Sequence, residues 1–223
     1  MKKTKIISVS KKTPTSIHLE VAPDSKMIAQ YKIPGQYAAI GLPSMKEGYF
    51  ALANPPGEKT FSFLIKKSSP LSEKLAGLKK GDLIAMSEIQ GKGFAMDRVL
   101  KKHVLLLAVG SAIAPIRAAL LAMLQNPANY RSFTLYFGAL TAGEFAYADE
   151  FPDWRKKGVK IIQTVYPPDP SWKGLGGFVQ NHLPKTLPTN TAALVCGMEP
   201  MVEASKQKLK DLGMPEKLIL TNV

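Results

Sequence analysis

The sequence HVLLLAVGSAIAPIRAALLAML, residues 103–124, decides the fold of the second half of this chain. Its residues 104–109 form an unbroken apolar run, which is typical of a strand buried on both faces of a parallel sheet. Gly110 permits a tight turn, Ser111 is a suitable helix cap, and Pro115 falls where a first helical turn needs no N–H. The pattern predicts a strand, a turn of small residues and a helix whose free N–H groups can bind phosphate, although an ordinary buried turn has the same pattern.

The residues after 103 alternate throughout between short apolar runs and amphipathic segments. We predict strands over 104–109, 133–137, 159–164, 192–196 and 218–220. We predict helices over 115–125, 144–150, 174–182 and 200–211. Pro152 should end or bend the second of these helices. Such alternation predicts a doubly wound parallel sheet that binds ligands at the carboxyl ends of its strands, where Gly110-Ser111 and Cys196-Gly197 are expected.

Residues 4–98 follow a period of two instead. In the segments TSIHLEVA and TFSFLIKK apolar and polar side chains alternate, and turns rich in Gly and Pro separate such runs. Short strands with this spacing predict a small antiparallel barrel or sandwich, with one short helix at 68–78. We therefore predict two domains, a Greek-key antiparallel β-barrel over residues 1–100 and a nucleotide-binding α/β domain with a doubly wound parallel sheet over residues 101–223.

The cysteine and histidine content argues against metal and disulfide chemistry. Cys196 is the single cysteine, so intrachain disulfides and cysteine-ligated zinc or iron–sulfur sites built from this chain alone are excluded. The three histidines, His18, His103 and His182, show no metal-ligand spacing. We therefore predict no metal site.

The chain is strongly basic, with a formal net charge of +13. Its basic residues are dispersed and are not interleaved with aromatic residues, which favours a solvated surface or an acidic protein partner over nucleic acid. No apolar run reaches the roughly 20 residues of a transmembrane helix, and no signal sequence is recognisable. We expect a protein of the cytoplasm, or of the plastid stroma if a transit peptide has been removed, that neither binds nucleic acid nor spans a membrane.

Six segments, in order along the chain, resemble the motifs of one family. They read IPGQYAAIGLP, GYFALAN, LKKGDLIAMSEIQGKGF, AVGSAIAPIRA, LYFGALTAGEFAYADEF and LVCGMEPMVEASKQKLKDLGM. From end to end the chain thereby resembles the ferredoxin–NADP reductase superfamily, and within it a plant plastid and bacterial oxidoreductase-like subgroup. The resemblance implies an FAD-binding barrel followed by an NAD(P)-binding α/β domain.

This resemblance implies flavin contacts in the barrel. The implied residues are Phe50, Ala51, Leu52, Ala53, Asn54, Ile65, Lys66 and Ser72. Phe50 would pack on the flavin ring, and Lys66 and Ser72 would face the FAD phosphates. The same residues also fit a plain strand and turn, an exposed lysine and a simple helix cap.

The resemblance also implies contacts with a nicotinamide dinucleotide in the α/β domain. The implied residues are Gly110, Ser111, Ala112, Ile113, Ala114, Pro115, Leu140, Tyr147, Cys196, Gly197 and Met198. Cys196 would be a small polarisable neighbour of the nicotinamide ring, and Tyr147 would lie near the adenosine. The alternatives are an inherited turn without a cofactor, a buried core cysteine, and a tyrosine that packs on the sheet.

The chain departs from the family pattern at several positions. Gly48 stands in place of the arginine that pairs with the FAD pyrophosphate, which should weaken flavin binding. Side chains that contact the flavin or the dinucleotide in relatives are also changed or missing at Phe50, Ala51, Leu140 and Val223, and Ala112 adds a methyl group where the family has a glycine in the pyrophosphate turn.

The leading hypothesis is an FAD-dependent NAD(P)H oxidoreductase that passes hydride between nicotinamide and flavin and passes electrons to an acceptor, such as an acidic ferredoxin-like carrier. The dinucleotide is NADPH or NADH, since no arginine or acidic residue clearly marks its 2′ position. Two alternatives stay open. One is a flavin subunit of a larger redox complex, and the other is a binding or regulatory module on a degenerate reductase fold.

Overall fold

The computed structural model describes residues 1–222, which form two six-stranded sheets. Val223, the position without a terminal aromatic ring, lies outside the described residues. The antiparallel sheet and its helices comprise β1 (Lys2–Thr13), β2 (Ser16–Ala22), α1 (Ser25–Gln30), β3 (Tyr37–Gly41), β4 (Gly48–Ala51), β5 (Phe61–Lys66), α2 (Pro70–Ala76) and β6 (Leu83–Met86).

The antiparallel sheet has the order β4-β3-β6-β1-β2-β5. Its edge strands, β4 and β5, approach each other at an isolated bridge between Leu52 and Phe63, so the sheet is barrel-like without being closed. Because β6 returns to lie beside β3, strands β3 to β6 have the Greek-key arrangement. The predicted antiparallel barrel is therefore confirmed as an open, barrel-like sheet.

The second sheet is entirely parallel and has the order β10-β9-β8-β7-β11-β12. It and its helices comprise β7 (His103–Val109), α3 (Ile113–Leu124), β8 (Ser132–Ala139), α4 (Phe151–Lys156), β9 (Val159–Val165), β10 (Leu175–Gly176), β11 (Thr191–Cys196), α5 (Glu199–Asp211) and β12 (Ile219–Leu220). We call residues 1–100 the β half and residues 101–222 the α/β half. The domain boundary between residues 100 and 101 remains a proposal, and it falls in the turn before β7.

The central strand β7 is buried on both faces, as its unbroken apolar run indicates. Leu106 and Ala108 belong to a buried cluster that contains the inner residues of α3, whereas Leu105 and Leu107 belong to a second cluster that contains those of α5. Successive side chains of a strand point to opposite faces, so α3 and α5 cover opposite faces of the sheet. The predicted doubly wound sheet is thereby confirmed.

The predicted helix over 144–150 is wrong. This segment instead forms two 3₁₀ turns, Ala142–Glu144 and Ala148–Glu150, on either side of Tyr147. Tyr147 takes a φ of 63°, which interrupts a helical backbone. Pro152 lies in the first turn of α4, so it begins that helix rather than ending the preceding one.

Three further local predictions need correction. Residues 174–182 form β10 and a 3₁₀ turn (Val179–His182) rather than a helix, because Gly177 takes a φ of 93° between them. The β half contains two short helices instead of one, since the Asp24 side chain caps α1. Ser111 does not cap α3, because it lies inside a 3₁₀ turn that precedes the helix.

Arg117 of α3 joins the two halves. Its Nη1 donates to the Ala53 carbonyl oxygen of the β half at 2.6 Å. Its Nε and Nη2 bind the two carboxylate oxygens of Glu150 at 2.9 and 2.8 Å, and its guanidinium carbon lies 4.5 Å from the centre of the Tyr147 ring. The Arg117 side chain is 14% exposed, so these contacts are largely shielded from water. Such a bidentate, stacked arrangement uses the planar fork that arginine alone provides.

Tyr147 and His18 form a second contact between the halves. Tyr147 is buried, and its hydroxyl oxygen lies 3.0 Å from His18 Nδ1 on β2. Burial, together with the positive charges of Arg117 and Lys12, lowers the pKa of His18 to about 4, so its ring is neutral at pH 7. Close to this pair, Lys12 forms an ion pair with Asp149. The hydroxyl groups of Thr13 and Thr15 donate hydrogen bonds to the Glu144 carboxylate.

Replacing Arg117 by methionine should lower the free energy of unfolding by about 2–4 kcal/mol, because a shielded ion pair and the bond to the Ala53 carbonyl are both lost. Arg117→Lys should recover only part of this loss. Lysine keeps the positive charge, but it cannot bind both carboxylate oxygens of Glu150 as arginine does. Urea unfolding followed by circular dichroism measures both changes. The control Lys156→Met removes an exposed pair with Asp153 and should change stability by less than about 0.5 kcal/mol. An Arg117→Met loss as small as that of the control would contradict the role given to Arg117.

His18 should make the folded protein less stable as the pH falls from 6.5 towards about 4. In this window the unfolded state binds more protons than the folded state, because the pKa of His18 is lower when folded. We expect His18→Gln to reduce the loss of stability across the window by on the order of 1–3 kcal/mol, measured by urea unfolding at a series of pH values. The control His103→Gln should keep the native pH dependence. Parallel stability curves for the native protein and His18→Gln would show that His18 carries no such effect.

Candidate functional site

A cleft of about 310 Å³ opens between the two halves, where the carboxyl ends of β7 and β11 face β4. The carboxyl edge of a parallel sheet is where doubly wound folds bind ligands. A second cavity, of about 290 Å³, lies on the opposite side of the α/β half, between residues 187–191 and 212–218, where no site residue is predicted. The cleft between the halves is therefore the candidate site.

The cleft brings together predicted residues from both halves. These are Phe50, Ala51, Ser111, Ala112, Ala114, Pro115, Cys196, Gly197 and Met198. Four lining residues were not predicted, namely Tyr49, Leu64, Val109 and Asn222. Tyr49 and Val109 are chain neighbours of predicted site residues, so the motifs could have included them. Leu64 also neighbours a predicted site residue, Ile65, and Asn222 precedes Val223, where the family pattern has a terminal aromatic residue.

Strand β4 supplies an aromatic wall. Phe50 and Ala51 line the cleft, and the exposed Tyr49 packs edge-on against Tyr37 with ring centres 5.9 Å apart. A Cβ atom at Gly48 would lie 2.9 Å from the Phe50 ring, so this ring occupies space that a side chain at position 48 would need. Where the family pattern has an arginine, this chain has a glycine, and the Phe50 ring fills the space next to it without any charge.

The loops after β7 and β11 supply the opposite wall. Gly110 takes a φ of 53° and begins the turn that leads to α3, whose residues Ala114 and Pro115 line the cleft. A Cβ atom at Gly197 would lie 2.7 Å from Met201 Sδ, so a larger residue would displace the loop or Met201. The small residues of this wall allow a ligand to approach the backbone closely.

Cys196 and Asn222 form the polar part of the cleft. The Cys196 thiol donates to Asn222 Oδ1 over 3.4 Å, and Asn222 Nδ2 donates to the Gly35 carbonyl oxygen over 3.1 Å. Burial raises the pKa of the Cys196 thiol to about 12. The thiol is therefore protonated at neutral pH, which makes it a polarisable neighbour of a ligand rather than a nucleophile.

Several predicted flavin residues lie outside the cleft lining. Leu52, Ala53 and Ile65 are fully buried, and Lys66 is exposed at the end of β5. Asn54 is committed to a turn of the β half, since its side chain donates to the Thr60 carbonyl oxygen and accepts from the Ser62 N–H, each over 2.8 Å. These contacts match a structural role for Asn54, and its flavin contact stays a prediction.

Ser72 is also committed to a local structure. Its hydroxyl accepts from the N–H of Ser69 over 2.9 Å, and its own N–H donates to Ser69 Oγ over 3.2 Å. The two serines form a capping box at the start of α2. A phosphate contact of Ser72 would need this box to open, and it stays a prediction.

Four predicted dinucleotide residues also lie outside the cleft lining. Gly110 precedes it, and Ile113 is buried beneath it. Leu140 is 57% exposed just after β8, at the carboxyl edge of the sheet. Tyr147 is buried against the β half, as described above, so its side chain is part of the contact between the halves.

The cleft fits the ring of a redox cofactor. One wall is aromatic, most residues of the other are small, and none of the described residues that line the cleft has a charged side chain. Its volume of about 310 Å³ is at the lower end of the range for small-molecule sites, which suits a ring system rather than a whole dinucleotide. The rest of such a cofactor would extend over the surface beyond the cleft.

The part of the chain from residue 1 to residue 222 offers no cluster of metal ligands. Its His, Cys, Asp and Glu side chains form no group of three or more that could hold a metal ion. None of its helices combines the length and the apolar character needed to cross a membrane.

The loops after β7 and β11, which we call the sheet wall of the cleft, lie in a domain that matches a known family. Residues 106–207 match the family described as the oxidoreductase NAD-binding domain. This span begins within β7 and ends within α5, so it includes both loops that form the sheet wall.

Relatives extend the similarity to both halves. The fruit protein pKIWI502 of Actinidia deliciosa is 30% identical over 226 residues, which cover 92% of this chain and 70% of the relative. Sulfhydrogenase 1 subunit gamma of Pyrococcus furiosus is 30% identical over 196 residues, which cover 84% of this chain and 67% of the relative.

Solved structures share the two-sheet fold. A ferredoxin NADP+ reductase from Neisseria gonorrhoeae, solved with bound FAD and NADP, has a TM-score of 0.80 at 18% identity and covers 99% of this chain and 97% of that chain. The predicted resemblance is confirmed by these matches together. The chain belongs to the ferredoxin–NADP reductase superfamily of oxidoreductases.

Proposed function

We propose that this chain is an FAD-dependent NAD(P)H oxidoreductase. It passes hydride between a nicotinamide dinucleotide and FAD, and electrons onward to a second acceptor. The observation that carries the proposal is the cleft itself, in which an aromatic wall of the β half faces small residues at the carboxyl edge of the parallel sheet. Membership of an oxidoreductase superfamily, and the shared fold of a reductase solved with FAD and NADP, support it.

The β half would hold the flavin. Phe50 is placed to pack on the ring, with Ala51 and Leu64 beside it. The phosphates of FAD would extend towards Lys66 and the first turn of α2, as the family resemblance implies. No arginine at position 48 is available to bind them, so the ring contacts would carry a larger share of the affinity.

The α/β half would hold the nicotinamide dinucleotide, which is NADPH or NADH. The turn from Gly110 to Pro115 and the loop from Cys196 to Met198 form one continuous wall of the cleft. The N–H groups at the start of α3 are suited to a phosphate. Leu140 is exposed near the same edge of the sheet, where it could contact the adenosine part.

Hydride transfer in this cleft requires the protein to orient the two rings and to exclude water from them. It requires no acid–base group of the protein. When bound, the two cofactors supply the hydride and electron chemistry. Phe50, Leu64 and Val109 provide apolar walls that exclude water from the rings. The Cys196 thiol keeps its proton, because burial raises its pKa to about 12. Of the residues from 1 to 222, those that line the cleft include no carboxylate and no histidine.

The proposed electron acceptor is an acidic carrier protein. The formal net charge of +13 favours association with a negatively charged partner. Electrostatic complementarity of this kind speeds encounter and weakens with salt. The exposed Tyr49 and Met198 at the mouth of the cleft offer apolar contact points next to the rings.

Two other candidate functions each rest on one observation. The packing of the Phe50 ring against Gly48 favours a binding or regulatory module that has lost its flavin. The similarity to a protein named as a sulfhydrogenase subunit favours a flavin subunit within a larger redox complex. The experiment below separates the first of these from the leading proposal.

A visible absorption spectrum of the purified protein, reconstituted with FAD, should show a bound flavin that is bleached by anaerobic NADPH or NADH. Phe50→Ala should weaken FAD binding by about tenfold, because the ring contact is lost. The control Phe178→Ala removes an exposed ring of the α/β half and should leave FAD affinity unchanged. A native protein that takes up no FAD would favour the binding module, and salt-sensitive reoxidation by an acidic carrier would support the proposed acceptor.

Gly197→Ala should weaken NAD(P)H binding by about tenfold while the flavin spectrum stays native, because its Cβ atom would meet Met201 Sδ and displace the sheet wall. Stopped-flow bleaching at a series of nucleotide concentrations gives this affinity. The control Gly143→Ala places a Cβ atom 3.8 Å from Pro14, an ordinary contact, and should behave as the native protein. Equal NAD(P)H affinities of the two variants would show that the loop at Gly197 is not part of the nucleotide site.

A further inference from the structure

We propose that Asn222 is a positioning residue of the cleft, which ties the Cys196 thiol to the backbone of the β half and presents sulfur rather than hydrogen to the bound ring. The bonds made by Asn222 stand independently of any ligand. Their effect on a bound ring rests on the function proposed above.

The direction of both hydrogen bonds follows from the chemistry of an amide. A backbone carbonyl oxygen can only accept, so the atom of Asn222 that lies 3.1 Å from the Gly35 oxygen must be the nitrogen. The amide oxygen then points to Cys196, with Oδ1 and Sγ 3.4 Å apart. Because an amide oxygen can only accept, the thiol must donate its hydrogen to Asn222.

Close packing holds Asn222 in this place. Gly35 takes a φ of 94°, and a Cβ atom there would lie 2.9 Å from both the Asn222 Cβ and the Phe94 ring. A residue larger than glycine at position 35 would therefore push the asparagine away. Gly35 and Phe94 belong to the β half and Cys196 to the α/β half, so the bonds of Asn222 cross between the halves at the cleft.

The consequence concerns the face that sulfur turns to the cleft. Cys196 lines the cleft, and its single hydrogen is directed at Asn222. The sulfur lone pairs are then free to face a ligand. A nicotinamide ring that has lost hydride carries a positive charge. Polarisable sulfur lone pairs that face this ring stabilise the charge, whereas an S–H group with its hydrogen turned to the ring would not.

The single cysteine allows a direct test without any cofactor. The infrared S–H stretching band of the native protein should lie at lower frequency than that of a simple alkanethiol dissolved in a hydrocarbon, because the thiol of Cys196 donates a hydrogen bond. Asn222→Leu removes both bonds at similar volume and should return the band to higher frequency. Asn222→Asp keeps an acceptor for the thiol and loses the donor to Gly35, so it should keep the lowered band. Asn181→Leu, at an exposed asparagine of the 3₁₀ turn Val179–His182, is the matched control.

The pH profile of alkylation gives a second readout. Loss of the bond to Asn222 favours the thiolate, so iodoacetamide should modify Cys196 about threefold to tenfold faster in Asn222→Leu than in the control, with the profile displaced to lower pH. A merely structural asparagine would change only the limiting rate in a folded Asn222→Leu, through the exposure of the thiol, and would not displace the pH profile to lower pH.

Each outcome decides the proposal. A native band at the frequency of the free alkanethiol overturns it even if no variant folds, and so does an unchanged band in a folded Asn222→Leu. A lowered native band that Asn222→Leu abolishes supports it. If the bonds are found but the protein binds no flavin, the proposed function fails while the link between Asn222 and Cys196 stands. If flavin binds and the bonds are absent, the proposed function stands alone.

Discussion

The arrangement of the two halves depends on the shielded guanidinium of Arg117. It donates to the Ala53 carbonyl oxygen, two residues beyond the cleft residue Ala51, and it is anchored two residues beyond the cleft residue Pro115. One side chain therefore links the backbones that carry the two walls of the cleft. Glu150 neutralises the charge of the guanidinium, so this link can exist away from water. The spacing between the aromatic wall and the sheet wall follows from this contact.

The contact made by Arg117 also explains the conformation of the segment after β8. Glu144, Tyr147 and Asp149 all bond to residues of the β half, and Arg117 stacks on the Tyr147 ring. A regular helix over this segment could not direct these side chains to the same surface, and Tyr147 takes a φ of 63° within it. The tyrosine that the family resemblance relates to adenosine is consequently an element of the joint between the halves. Neutral His18 completes that joint without adding a third positive charge beside Arg117 and Lys12.

The cleft combines an uncharged aromatic wall with a wall of small residues, and both depend on glycine. Gly48 leaves room for the Phe50 ring, and Gly197 leaves room for Met201. Asn222, which lines the cleft, adds a further link between the halves. The site is thus defined by shape and by the orientation of one thiol, which suits chemistry that bound cofactors carry out and the protein directs.

The sequence by itself determined the two-sheet fold through its strand periodicity, and its resemblance to a known family indicated nine of the residues that line the cleft, because periodicity and motifs are local properties of the chain. It failed over 144–150 and 174–182, where contacts with the β half and a glycine with positive φ override helical patterns. It did not find Leu64, although Leu64 is next to the predicted residue Ile65, and it could not show the bonds of Asn222 to Cys196 and Gly35, because these partners are distant in the chain. The sequence left open whether Ser72, Asn54 and Tyr147 bind a cofactor or serve the fold. The structure shows Ser72 and Asn54 in hydrogen bonds within the β half, and it buries Tyr147 against His18 of the other half, a contact that depends on how the halves pack.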